Sequence, residues 1–375
     1  MPARTKAAKI TCEVYRSISP QVQAALAALQ FDLAQAQPRR MLALRERTPL
    51  AFLPATTRLE EDPAEVFETY VPAERARATV LALARELRLF TPGRGAIYAE
   101  EVELLVPPGF SPCNEDLASA EGGERPGQRL SRLALINCVV QRGYGNDIAR
   151  RALEGGGCVP SVSFGIGTGV RNRLGLLRIA IPAEKEIVSL LVDAQDQDDT
   201  LAALIEAGRL DQPGRGFVGA YPVSFGVLNP KPFRGRQTPG ATMEQIIAAV
   251  DDLKAGAEWR RRSDAADDTP RGKRRWLEGL VNLTLNCNEG NADRLVAAAM
   301  AAGAGGATIS KAKFFSPRER QFAALPAREL IDLGIDPGKL PGLVDALLER
   351  GAFDGDTACF VEIKPLPKAF TFVPA

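Results

Sequence analysis

Arg88-Leu89-Phe90-Thr91-Pro92-Gly93-Arg94-Gly95 runs into the apolar stretch Ala96-Ile97-Tyr98, and the chain then repeats itself. Arg209-Leu210-Asp211-Gln212-Pro213-Gly214-Arg215-Gly216 runs in the same way into Phe217-Val218-Gly219. An Ala/Leu-rich run precedes each copy, so the phrase reads as the end of a helix, a glycine turn and the start of a strand. A looser third copy, Gly351 to Val361, follows the helical run Leu343 to Arg350. Self-similarity of this kind decides the fold, because each copy marks the same place in a repeated unit.

Working outward from the first copy, Lys9 to Tyr15 alternates as a strand does, and Ser19-Pro20 opens a helix with Val22, Ala25, Leu26 and Leu29 on one face. Met41 to Leu44 predicts a second strand, Arg45 to Pro63 an irregular loop, and Glu65 to Val71 a third strand. Pro72 to Leu87 predicts a second helix and Ala96 to Leu105 a fourth strand. The same succession returns from Leu133 to Val227, with Gly145-Asn146 capping its first helix. It returns again from Leu280 to Ile363, with Gly290-Asn291 in that place. The expected division is a unit over 1–106, a Pro/Gly/Ser/Glu-rich linker over 107–130, a unit over 131–228, a linker with one helix over 229–275, and a unit over 276–375. Two βαβ halves with paired strands make a four-stranded antiparallel sheet with both helices on one face. The expected fold class is therefore α+β: three tandem ferredoxin-like βαββαβ units packed as an intramolecular pseudo-trimer, monomeric in solution.

Composition bounds the function. Across 375 residues, 45% hydrophobic and 25% charged, the net charge is only +1, so no global field steers the chain to nucleic acid or to a membrane. The basic N-terminus Met1 to Lys9 has no apolar segment behind it, and the expected location is cytoplasmic. The chain has no histidine, and its six cysteines lack Cys-x-x-Cys spacing. Neither a metal site nor imidazole chemistry is expected. Cys12, Cys138 and Cys287 fall in predicted first strands, where a thiol is buried and inert.

The second unit carries a resemblance. Gly165-Ile166-Gly167 after a strand, then a long loop, then Ile181-Pro182-Ala183-Glu184-Lys185-Glu186-Ile187-Val188, then Ile205-Glu206-Ala207-Gly208-Arg209 leading into Gly214-Arg215-Gly216, resembles the P-II nitrogen-regulatory signalling proteins, with weaker echoes in the other units. The resemblance implies a non-catalytic regulatory protein that binds a small anionic effector, an adenine nucleotide (ATP, ADP or AMP), in clefts between units. It also implies a target protein engaged by a T-loop between the second and third strands. By that likeness Gly165, Gly167 and Gly169 lie at the base of the T-loop, and Gly214-Arg215-Gly216 and Gly93-Arg94-Gly95 stand where the phosphate-contacting loop stands. Glycine lets backbone N–H groups approach an anion, and arginine supplies forked donors. In the third unit Asp356-Thr357 puts a carboxylate where phosphate would sit, and no tyrosine lies between Gly165 and Lys185.

Competing readings stand beside these. Arg171, Arg173 and Arg178, assigned to the partner-binding loop, are either anion contacts or ordinary loop charges. Pro-Gly-Arg-Gly is also a common turn. Gly165-Ile166-Gly167-Thr168-Gly169 lacks the helix and last glycine of a dinucleotide fingerprint. The clusters Trp259 to Arg262 and Arg271 to Trp276 flank Asp264, Asp267 and Asp268, as a charge-balanced linker does. A structural assembly protein with degenerate clefts is the alternative function. An enzyme with a Ser/Lys site such as Ser310 and Lys311 is the weaker one, since no base orienter or oxyanion motif accompanies it.

Overall fold

The computed structural model describes residues 2–47, 56–117, 123, 128, 130–155, 158–168, 183–230, 275–318 and 327–373. The first third of the chain holds β1 (Ala3–Tyr15), α1 (Ser19–Ala28), β2 (Ala34–Arg47), β3 (Thr56–Val71), α2 (Ala76–Glu86) and β4 (Gly95–Val106). The second holds β5 (Ser131–Gln141), α3 (Gly145–Gly155), β6 (Ser161–Thr168), β7 (Glu184–Asp193), α4 (Gln197–Gly208) and β8 (Gly216–Val227). The last holds β9 (Leu277–Asn288), α5 (Ala292–Ala301), β10 (Ala307–Phe315), β11 (Ala327–Ile335), α6 (Leu340–Glu349) and β12 (Phe360–Thr371).

These strands do not stop at the boundaries of the thirds, and this overturns the expected fold class. All twelve belong to one sheet. A closed ring of ten antiparallel strands runs β1-β3-β2-β6-β10-β11-β9-β12-β8-β4 and returns to β1. Strands β5 and β7 are the two extra strands and link β8 to β6. The protein is a closed antiparallel β-barrel with six short helices outside it among the described residues. It is not three tandem ferredoxin-like α+β units, nor the pseudo-trimer built from them. The physical reason is that a sandwich standing alone leaves unpaired N–H and C=O groups on two edge strands. Here the edges find partners in other thirds, as in Arg40↔Val162, Ile309↔Ile166 and Val361↔Leu105.

The outer face of the barrel is apolar and lies under the helices. Ile10, Cys12 and Val14 of β1 pack with Val22, Leu26, Val80 and Leu83, as residues at every second strand position must if they share a face. Each helix-covered core borrows side chains from another third. Val227 and Phe315 enter the first, Leu42 and Phe370 the second, and Leu105 the last. The inner face is divided between an apolar cluster that includes Tyr98, Leu135, Tyr221 and Leu366 and a charged group around Lys9 and Glu362.

Several local expectations also change. The segment Arg45 to Pro63, expected as irregular, is in part a continuation of β2 and β3, paired from Arg39↔Ala64 to Arg47↔Thr56. Cross-strand ion pairs such as Arg45–Glu60 at 2.8 Å hold it. Ser19 does not cap α1, which starts from a 3-10 turn over Arg16–Ile18. The helix expected over 243–261 and the basic cluster at 259–262 lie outside the described residues. No helix among those described is long and apolar enough to cross a membrane.

Candidate functional site

The repeated phrase is first of all a way of ending a helix. Arg88 and Arg209 take left-handed φ values of 54° and 48° just beyond α2 and α4. The amides of Leu89 and Leu210 return to Ala84 O and Ile205 O, and both leucine side chains are buried. Gly95 and Gly216 then start β4 and β8 where a methyl group would strike the carbonyl oxygens of Glu13 and Val139. Close strand approach therefore accounts for these two glycines without a ligand.

The two arginines part company at this point. Arg94 is spent on two helices: Nε donates to Leu87 O, at the end of α2, at 2.8 Å, and a terminal nitrogen donates to Gln21 Oε1 of α1 at 3.1 Å. The turn itself is closed by Asn229, a buried residue whose Oδ1 accepts from Gly93 N at 3.2 Å. The corresponding turn of the last third is closed as well, with Arg294 donating to Thr357 Oγ1 at 2.6 Å and Asn288 donating to Asp356 O at 3.0 Å. The second turn is tied by Gln141 donating to Gly214 O at 3.0 Å, but the Arg215 guanidinium has a long bond to Gln212 Oε1, at 3.3 Å, and lies 5.3 Å from the ring centre of Tyr144, which is 40% exposed.

Gly165 and Gly167 sit on β6, where Gly165 lets that strand pass close to Thr308 and Ile309 of β10. The register places Gly165 beside Lys185, Lys185 beside Gln141, and Val140 beside Gly216. The expected ligand glycines of the second third thus share one end of the sheet but stand three strands apart, roughly 14 Å. Between them lies an exposed surface. Phe164 is 55% exposed with the guanidinium groups of Arg40 and Arg142 over its ring, and Ile166 is exposed beside it. Gly169, Arg171, Arg173 and Arg178 lie outside the described residues.

Two features escape a reading of the sequence. The first is a pair of carboxylates that hold helix N-termini. Glu186 Oε2 accepts from the amides of Gly143 and Gly145 at 2.9 and 2.7 Å, and Glu329 Oε2 accepts from Gly290 and Ala292 at 3.0 and 2.9 Å. These donors, which would otherwise suit a phosphate, are already satisfied, and Asn291 makes no capping bond. A Gly-x-Gly or Gly-x-Ala after the first strand, with a Glu opening the third, is the signal that would have found them.

The second is the charged group inside the barrel. Lys9 Nζ lies 2.9 Å from Glu362, 3.5 Å from Glu68 and 3.7 Å from Glu100, while Lys364 Nζ lies 2.8 Å from Glu100. Tyr70 donates to Glu362 at 2.8 Å, and Gln35 donates to Glu68. Burial opposes the charge on Lys9, but Glu362, Glu68 and Glu100 carry its pKa well above the ordinary lysine value. Burial pushes Glu68 up, and Lys9 and Arg39 more than reverse it, leaving this carboxyl below the usual range. In sequence, Glu362 and Lys364 alternate with Val361 and Ile363, which is also what a solvated strand face looks like.

A third place is a cleft of about 650 Å³ lined by Arg132, Leu133, Asp193, Gln195, Gln197 and Pro222. It lies at the opposite end of β5 and β7, since Leu133 pairs with Asp193 there. None of the glycine turns reaches it. Among the described residues no three His, Cys, Asp or Glu side chains are placed to hold a metal ion. Burial pushes the thiols of Cys138, Cys158 and Cys287 up to about 12, so they stay protonated and unreactive.

No protein-family model matches the chain, and no curated protein matches it in sequence.

Proposed function

We propose that the protein is a non-catalytic binding protein whose turn at Gly214-Arg215-Gly216 takes a small anionic effector. The single observation that carries this reading is the contrast between the two arginine side chains. All three turns are tied to the chain, the second through Gln141 donating to Gly214 O, but the Arg94 guanidinium is taken up by a carbonyl and a glutamine, whereas the Arg215 guanidinium donates to no main-chain group and rests on an exposed tyrosine ring. A guanidinium fork with an aromatic face beside it suits a phosphate or carboxylate joined to a flat ring. Arg142, also exposed and paired with Glu184 at 2.8 Å, adds a second cation to the same end of the sheet. The P-II resemblance makes adenine nucleotides the first probes. Engagement of a target protein rests on sequence alone, because the arginines assigned to it are not among the described residues.

Isothermal titration with ATP, ADP, AMP, cyclic AMP and bicarbonate tests the proposal. At least one should bind, Arg215→Ala should weaken it by tenfold or more, and Arg94→Ala should leave the affinity unchanged. No heat with any of them, or full affinity in Arg215→Ala, would overturn it. The closed turns of the first and last thirds favour a second reading, a structural protein whose ligand turns are all sealed, and that reading expects no heat at all.

A further inference from the structure

The outer face of β6 runs on past the helices that cover its start. Val162 is buried beneath them, but Phe164 and Ile166, two and four residues further along the same face, are 55% and 51% exposed. One carboxylate ties Phe164 to the turn that opens α3. Phe164 pairs in register with Glu186, whose Oε2 holds the amides of Gly143 and Gly145 on either side of Tyr144 and whose Oε1 accepts from Arg40 at 2.7 Å. Two exposed aromatic residues, Phe164 and Tyr144, are thereby anchored about two strand spacings apart, roughly 10 Å. Guanidinium groups alternate with them. Arg142, two residues before Tyr144, lies 5.8 Å from the ring centre of Phe164, and Arg215 lies 5.3 Å from that of Tyr144.

We propose that this row is a two-ring site for a 5′-phosphorylated dinucleotide, with one base on Tyr144, the next on Phe164, the bridging phosphate at Arg142 and the terminal phosphate at Arg215. The inference rests on the anion reading of the Gly214-Arg215-Gly216 turn and extends that site across the end of the sheet. Ring and cation alternate along the protein as base and phosphate alternate along such a ligand. Aromatic rings stack on any base, and guanidinium forks take phosphate oxygens. At this spacing a single base reaches one ring only, so a mononucleotide fills half of the row.

The remaining contacts of these side chains decide which of them are available. Arg40 also lies over the Phe164 ring, at 5.5 Å, but Glu61 and Glu186 both hold it, so it serves to fix the ring and not to bind phosphate. Arg142 is paired with Glu184, and the two side chains are 59% and 63% exposed. A pair so open to water is weak and yields to a phosphate at little cost. Phe164 keeps more than half of its surface open with both guanidinium groups in place.

Isothermal titration of the full chain with the 5′-phosphorylated diadenylate pApA and with AMP tests the proposal. The dinucleotide should bind roughly tenfold tighter than AMP or better, the gain from a second stacked base. Phe164→Ala should bring pApA down to the AMP value and leave AMP unchanged, Phe164→Trp should keep the gain, and Arg215→Ala should weaken both ligands. Binding of pApA no tighter than AMP, or an undiminished gain in Phe164→Ala, would overturn the two-ring site. If AMP still binds through Arg215 in that event, the anion reading of the turn survives; no heat from either ligand removes both. Should Phe164→Ala fail to fold, Arg142→Ala takes its place: loss of the gain with AMP unchanged supports the proposal, and an unchanged gain refutes it. A free dinucleotide and a single strand offer the same chemistry, and a longer 5′-phosphorylated oligoadenylate separates them. Affinity equal to that of pApA supports the free dinucleotide, and binding roughly tenfold tighter supports a strand that continues beyond the row.

Discussion

Single residues in this protein act through what they already hold. Glu186 ties the first turn of α3 and the guanidinium of Arg40, at 2.7 Å, into one joint. Glu186→Ala strands two amides and leaves the half-buried Arg40 with Glu61 alone, and denaturant unfolding should show a loss of about 2–3 kcal/mol. Glu186→Gln keeps one acceptor and should lose less. Lys9 presents a sharper case, because its removal leaves Glu68, Glu100 and Glu362 with only Lys364 and the more distant Arg39 to offset them. Lys9→Met should cost about 3–5 kcal/mol by the same measurement, the penalty of uncompensated buried charge. Sequence exposes neither role, since both depend on which strands end up side by side.

At the scale of elements, the helix-turn-strand phrase shows how a motif can be legible while its purpose is not. Its repetition correctly marks where α2 and α4 end and where β4 and β8 begin. What it cannot tell is that Gly216 is needed for passage beside Val139, whereas Gly93 has open space around it and only a left-handed φ of 80° to maintain. Gly216→Ala should therefore destabilise the chain more than Gly93→Ala, for which a cost of about 1–2 kcal/mol is expected from backbone conformation alone. Comparing the thermal unfolding of the two variants checks this. Leu105 makes the matching point for packing, as a β4 residue completing the core beneath α5 and α6. Leu105→Ala should cost about 2–5 kcal/mol, with amide exchange quickening in the last third and not only in the first.

For the whole molecule, two buried carboxyls set opposite pH limits. Glu68, held below the usual range, contributes stability that is lost as pH falls through its folded value; Glu13, held above it, contributes stability that is lost as pH rises. Unfolding midpoints against pH should therefore show a maximum between them, and Glu68→Gln should flatten the acid side only. Read without coordinates, alternation and glycine turns determine the order of strands and helices, the apolar strand rows and the burial of Cys12, Cys138 and Cys287. Those are consequences of local geometry, in which every second strand residue shares a face. Only the tertiary structure decides that the edge strands pair across the thirds into a closed barrel, that Glu186 and Glu329 fill the helix ends, and that Arg94 is spent while Arg215 is not. Each of these depends on groups far apart in the chain meeting to satisfy hydrogen bonds and charge, and residue spacing carries no record of that meeting.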